Sequence, residues 1–202
     1  MTEKRSVFGQ VKKSPPPKIK NSQVRTREHL TPEEIAQVLK AAKSGREGIR
    51  NYCLLLLIYR HGLRCCEALA LKWEAIDFKQ AEIYIKRAKG SADSVQPIYP
   101  DEIKALRDLQ RQGQKSLYIF LSERGQPLSD KRVRTIVAAA GEAAKLPFPI
   151  HTHMLRHSTG YYLANRGTDS RHIQQYLGHR NYRHTEHYTA LSPKPFKNLW
   201  DD

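Results

Sequence analysis

The chain has 202 residues, with 35 Lys and Arg against 20 Asp and Glu, a formal charge of +15 and a pI near 9.9. At 39% apolar and 27% charged it can build one packed domain, which excludes a wholly disordered chain, and its charge favours a polyanionic partner, nucleic acid first. Three cysteines without a CxxC pair make a poor disulfide framework, and the longest apolar run, residues 52–59, is too short to cross a bilayer. No export signal opens the chain, so a cytoplasmic protein is expected. A basic ribosomal or membrane-surface protein would share this composition, which suggests a partner but no reaction.

Residues 1–28 read as a basic arm. They carry Lys12, Lys13, Lys18, Lys20, Arg25 and Arg27, are interrupted by Pro15–Pro17, and have no apolar periodicity to bury. Such an arm can order on DNA phosphates, or it can be a solvated leader. Folded structure is expected from Thr31, where T-P-E-E supplies an N-cap, a proline at the first helical position and a capping-box Glu34. Ile35, Val38, Leu39 and Ala42 continue at helical spacing. A second helix over residues 49–59 is apolar on nearly all sides and reads as the core helix; a short third covers residues 65–71.

From Ile76 the period shortens. Ile83 and Ile85 alternate with polar neighbours, and Val95–Tyr99 lie beyond a polar turn at residues 89–93, which predicts a small antiparallel sheet with a hairpin. Helices follow near 101–112, 130–144, 153–166 and 170–177, the last two stopped by Gly167 and Gly178. The fold class is therefore mixed, mainly α, with a small antiparallel β-sheet. Pro193 and Pro195 break the helix that precedes them, so residues 192–202 form a separate segment. In it Phe196, Leu199 and Trp200 make an apolar stripe.

Two segments place polar groups where packing does not require them. Arg64 and Glu67 share a helix face, as do His153 and Arg156, with His157 adjacent. Each pair alone could be an ordinary ion pair or a solvated face. A third segment, LGHRNYRHTEHYTAL, adds His179 after a helix-ending glycine and Tyr188 nine residues on. Nine histidines raise a zinc site, but HExxH is absent and no cysteine stands at ligand spacing, so no metal is expected. No Walker loop is present either.

Taken together, this ordered set resembles the tyrosine recombinase (phage integrase) family from about Leu30 to Ala190. The resemblance implies that Arg64 and Arg156 bind the scissile phosphate and that His153 and His179 hydrogen-bond it or assist proton transfer. Glu67 would support Arg64, and Tyr188 would attack to form a 3′-phosphotyrosine. Lys89 in the hairpin turn would protonate the leaving 5′ oxygen, with Lys86 and Arg87 as close rivals. It implies a catalytic domain at residues 29–191, double-stranded DNA as partner, no cofactor, and a homo-oligomer: a tetramer at synapsis, a monomer when free. The stretches YRHGLR, HMLRH, YLGHRN and RHT-x-x-YTA are similar to the short fimbrial phase-switch invertases of the FimB/FimE type, which would make the reaction inversion of a segment between short inverted repeats. In such a chain residues 192–202 would dock on a neighbouring protomer or on their own domain. An integrase or excisionase of a mobile element, a regulator without catalysis and a topoisomerase-like relaxase stay open.

Overall fold

The structure, a computed structural model, describes residues 27–88, 90–113 and 116–189. Helix α1 (Pro32–Ala42) starts as its sequence dictates: Glu34 N–H donates to Thr31 Oγ1 at 3.3 Å, and Thr31 N–H donates to Glu34 Oε2 at 2.9 Å. It buries Ile35, Val38 and Ala42.

Helix α2 (Gly48–Arg60) is the core helix. Cys53 and Leu54–Ile58 are all buried, and each aliphatic side chain so removed from water contributes about 2 kcal/mol. Helix α3 (Cys65–Leu69) ends two residues sooner than its sequence suggested, because Leu71 and Lys72 turn to meet the segment at residues 118–119.

The sheet is antiparallel in the order β1 (Ile76–Asp77), β2 (Glu82–Ile85), β3 (Ser94–Pro97). Ile83 and Ile85 point inward; across from Ile83 the inward residue of β3 is Gln96, while Val95 is exposed. The buried Gln96 amide then has to find partners. Its Oε1 lies 2.8 Å from His61 Nδ1, and its Nε2 donates to the Tyr176 carbonyl at 2.8 Å. On its other side His61 Nε2 comes within 2.8 Å of buried Glu102, off the line of a hydrogen bond. One polar side chain thus bolts the sheet to the end of α2 and to α7.

Helices α4 (Pro100–Arg111) and α5 (Asp130–Ala143) pack on the α1–α2 layer. Helix α6 (Thr152–Asn165) crosses α2, α7 (Ser170–Leu177) lies against β3, and α8 (Arg183–Thr189) packs on α6 and α7. Gly167 and Gly178 both take left-handed backbone after their helices, as a stop requires. Among the described residues no helix is long and apolar enough to cross a membrane.

Candidate active site

The site is built around one carboxylate. Glu67, buried in the first turn of α3, accepts from Arg64 Nη1 at 2.6 Å, Arg87 Nη1 at 2.9 Å, and the backbone N–H groups of Arg64 and Ala88 at 2.9 and 3.0 Å. Arg156 Nη1 stands 4.0 Å away. Burial alone would raise the Glu67 pKa, but the two backbone donors and the Arg87 and Arg64 guanidinium groups outweigh it and hold the carboxyl at about 2. The carboxylate is therefore charged at any working pH.

Carbonyls complete the arginine frame. Arg156, 3% exposed on α6, donates to the Leu177 carbonyl at 2.7 Å and also to that of Gly62. Arg87 donates to the His61 carbonyl at 3.0 Å, to Gly62 at 3.4 Å, and to Tyr176. Burial, then the charges of Arg64 and Arg87, bring the Arg156 pKa down to about 10. Arg64 is the more open of the site arginines, and its Nη1 donates to Ser91 Oγ at 3.1 Å, tying the hairpin turn to the site. A cleft of about 580 Å³ lies between that turn (Gly90–Ala92) and the end of α7, where it is lined by His179 and Arg180.

Tyr188 comes in on α8, 1% exposed, with its ring flat against α6 at Gly160. A Cβ at 160 would fall 2.6 Å from Tyr188 Cε2, so only glycine allows this approach. The hydroxyl lies 2.8 Å from His157 Nδ1. The Tyr188 ring also meets His187 and Tyr161 and stacks on His179, with centroids 6.2 Å apart. Burial pushes its pKa up to about 12, against the pull of Arg156. His179 Nδ1 pairs with Thr185 Oγ1 at 2.9 Å, which fixes the imidazole to the helix that carries Tyr188. Burial, then Arg156, holds His179 down at about 3; burial, then His153, holds His157 at about 4. His153 lies at the surface, yet burial of part of its ring and Arg156 lower its pKa as well. All three rings are neutral at pH 7.

The structure thus brings Arg64, Glu67, His153, Arg156, His179 and Tyr188 into one neighbourhood. Lys89 lies outside the described residues, as do Lys12, Lys13, Lys18, Lys20, Arg25 and the segment 192–202. Of the rivals for Lys89, Arg87 is fully enclosed and committed to Glu67 and three carbonyls, whereas Lys86 is exposed just past the end of β2. Arg27 pairs with Glu34 and covers the Phe148 ring. His29 stacks on Tyr161, with ring centroids 3.9 Å apart.

Three contributors went unread in the sequence: Arg87 as a structural cation, His157 as the partner of Tyr188, and Gly160 as its seat. A glycine inside a helical pattern was the one available signal for the last. The cysteines are free thiols, Cys53 buried and Cys66 exposed. Among the described residues no group of three or more His, Cys, Asp or Glu could hold a metal ion.

The sequence pattern of the phage integrase family matches residues 28–194. The type 1 fimbriae regulatory proteins FimB and FimE of Escherichia coli K12 are 43% and 40% identical over 180 and 181 residues, 87% of this chain and 90% and 91% of theirs. Among solved structures, XerA recombinase superposes with a TM-score of 0.74 at 24% identity, covering 86% of this chain. XerH site-specific recombinase, in a post-cleavage complex with its difH substrate, gives 0.73 at 24% over 86%. The chain spans 64% and 53% of those two solved chains, and the likeness to them concerns the fold. A 43% identity along nine-tenths of a relative, together with a family match over most of the chain, carries more: the chain belongs to the phage integrase family, the tyrosine site-specific recombinases.

Proposed function

We propose that this recombinase cuts double-stranded DNA with Tyr188, holds the 3′ end as a phosphotyrosine, and rejoins it to invert a segment between short inverted repeats. The observation that carries the chemistry is Glu67, which gathers Arg64, Arg87 and Arg156 beside Tyr188. Attack on a phosphodiester builds charge on the non-bridging oxygens, and the guanidinium forks of Arg64 and Arg156 are fixed, bidentate donors for it. His153 and His179, neutral at rest, hydrogen-bond the phosphate, and Lys89 protonates the departing 5′ oxygen. The energy of the broken bond is kept in the phosphotyrosine, so rejoining needs no nucleotide. Inversion is favoured over integration by the similarity to FimB and FimE, regulatory proteins of fimbriae, along nearly their whole length.

Incubation with a nicked half-site, from which the cut fragment diffuses away, tests the chemistry. Wild-type protein should accumulate a covalent adduct and Tyr188→Phe should bind DNA without forming one; an adduct with the phenylalanine protein would remove Tyr188 as nucleophile. A plasmid with two inverted sites then separates inversion from relaxation.

For assembly, we infer that residues 192–202 dock on a second copy. A groove of about 750 Å³ between α1, α2 and α6 is lined by Ile35, Leu39, Tyr52 and Leu163 and carries exposed Lys40 and Arg166. That chemistry suits the apolar Phe196, Leu199 and Trp200 followed by Asp201 and Asp202. Deleting residues 193–202 should spare half-site cleavage and abolish two-site recombination. Normal recombination by the truncated protein, or its outright unfolding, would contradict docking in trans.

A further inference from the structure

We propose that His157 is the proton acceptor for Tyr188: its Nδ1, 2.8 Å from the tyrosine oxygen, takes the phenolic proton as the tyrosine attacks and returns it when the DNA is rejoined. The proposal rests on the reading of Tyr188 as nucleophile.

The geometry comes first. Tyr188 Oη is enclosed, and His157 Nδ1 is its hydrogen-bond partner among the described residues. His157 follows Arg156 directly on α6, so acceptor and phosphate clamp are held at a fixed separation by one helix. Tyr188 is pressed against the same helix one turn on, at Gly160. A general base must lie within hydrogen-bond reach of the proton it removes, and this pair already does so without DNA.

The protonation states agree. The groups facing His157 are His153 and Arg156 on its own helix, His187 and Tyr188 on α8, and Glu28 ahead of α1. The single carboxylate among them does not offset burial and the three cationic or potentially cationic neighbours, and the ring is neutral at pH 7. A neutral imidazole with its proton on Nε2 presents the Nδ1 lone pair to the phenol. At rest the proton stays on the tyrosine, since a phenol held near 12 does not yield it to an imidazole near 4. Attack reverses the order: as the oxygen bonds to phosphorus it ceases to be a good base, and the proton passes to His157.

The step balances. The Tyr188 O–P bond forms, the P–O5′ bond breaks, the phenolic proton goes to His157 Nδ1, and the departing 5′ oxygen takes its proton from Lys89. In rejoining, an incoming 5′ hydroxyl attacks the phosphotyrosine, gives its proton to the lysine, and the released tyrosine oxygen recovers its own from the His157 imidazolium.

The test uses the full chain. His157→Asn places an amide near the Nδ1 position, able to hold the hydroxyl but not to accept a proton, and is compared with wild type in single-turnover half-site cleavage. Melting temperature and DNA affinity should stay near wild type while cleavage falls about 10²–10⁴-fold. A substrate with sulfur in place of the 5′ bridging oxygen leaves without a proton; it should restore Lys89→Ala and leave His157→Asn slow. Cleavage by His157→Asn within threefold of wild type, or its rescue by the sulfur substrate, would overturn the proposal. Unfolding of both His157→Asn and His157→Gln would make the residue structural and overturn it equally. Tyr188→Phe keeps the two readings apart: an adduct formed by that variant removes the nucleophile, whereas an inert Tyr188→Phe beside a fast His157→Asn removes only the acceptor.

Discussion

Gly160→Ala should separate the position of Tyr188 from the stability of the fold. The added Cβ would stand 2.6–2.7 Å from Cε2, Cδ2 and Cζ of the tyrosine ring. Carbon atoms in contact sit about 3.5–4.0 Å apart, so the ring must retreat by about 1 Å. Two effects on stability oppose each other. Alanine inside a helix is favoured over glycine by about 1 kcal/mol, and overpacking a tight contact costs about 1–3 kcal/mol. The net loss is at most about 2 kcal/mol, which lowers the melting temperature by under about 8 °C in a chain of this size.

The reaction has less tolerance. A displacement of about 1 Å in a reacting group costs on the order of 100-fold in rate. In single-turnover cleavage of a nicked half-site under excess enzyme, the variant should bind DNA normally and form adduct about 100-fold more slowly. Cleavage at the wild-type rate by a folded Gly160→Ala protein would show that the tyrosine leaves its seat on α6 before it attacks, and the resting geometry would then say little about the reactive one.

Three further outcomes are expected. Arg64→Lys and Arg156→Lys keep the charge but lose the planar fork, so single-turnover cleavage should fall far more than affinity in a gel-shift titration; a parallel loss would place both side chains in binding alone. Stability should fall in acid: His157 and His179, held near 4 and 3 against an ordinary 6.5, stay unprotonated in the native state while the unfolded chain takes up protons below 6.5. Glu67 adds a loss of about 3 kcal/mol between its ordinary 4.5 and about 2, so urea midpoints should drop steadily from pH 7 to pH 3, and a flat profile would contradict the depressed values. Deleting residues 1–26 removes seven basic residues while sparing the Arg27–Glu34 pair, and should flatten the log–log salt dependence of DNA binding by about 0.9 for each phosphate the arm neutralises; an unchanged slope would make the arm a spectator.

Local rules carried most of the fold. Thr31 and Glu34 announced α1, Gly167 and Gly178 closed two helices, and Ile83 and Ile85 marked the sheet by alternation. The site was legible where spacing along one helix decides, as for Arg64 with Glu67 and for His153 with Arg156. It was not legible where two distant elements meet. The pairing of His157 with Tyr188 depends on how α8 packs on α6, and the enclosure of Arg87 depends on carbonyls at the ends of α2 and α7. In the sequence Arg87 is one cation among Lys86, Arg87 and Lys89. Only tertiary structure shows that its guanidinium is spent on Glu67 and on carbonyls from two helix ends.

The charge of this cluster bears directly on how it could favour reaction over binding. Arg64, Arg87 and Arg156 surround the single carboxylate of Glu67, leaving the group two positive charges in excess. Burial first, and then the charges of Arg64 and Arg87, lower the Arg156 pKa by more than Glu67 restores. A bound phosphodiester brings one negative charge and leaves the cluster still positive. A pentacoordinate phosphorus bears a second, which matches the two charges that the arginines hold beyond Glu67. An interaction that is stronger in the transition state than in the ground state accelerates the step, whereas one equal in both only tightens binding. On the proposed mechanism, then, Glu67 does more than orient Arg64. On that mechanism, neutralising one arginine of three would leave a residual charge better suited to the transition state than to the resting DNA.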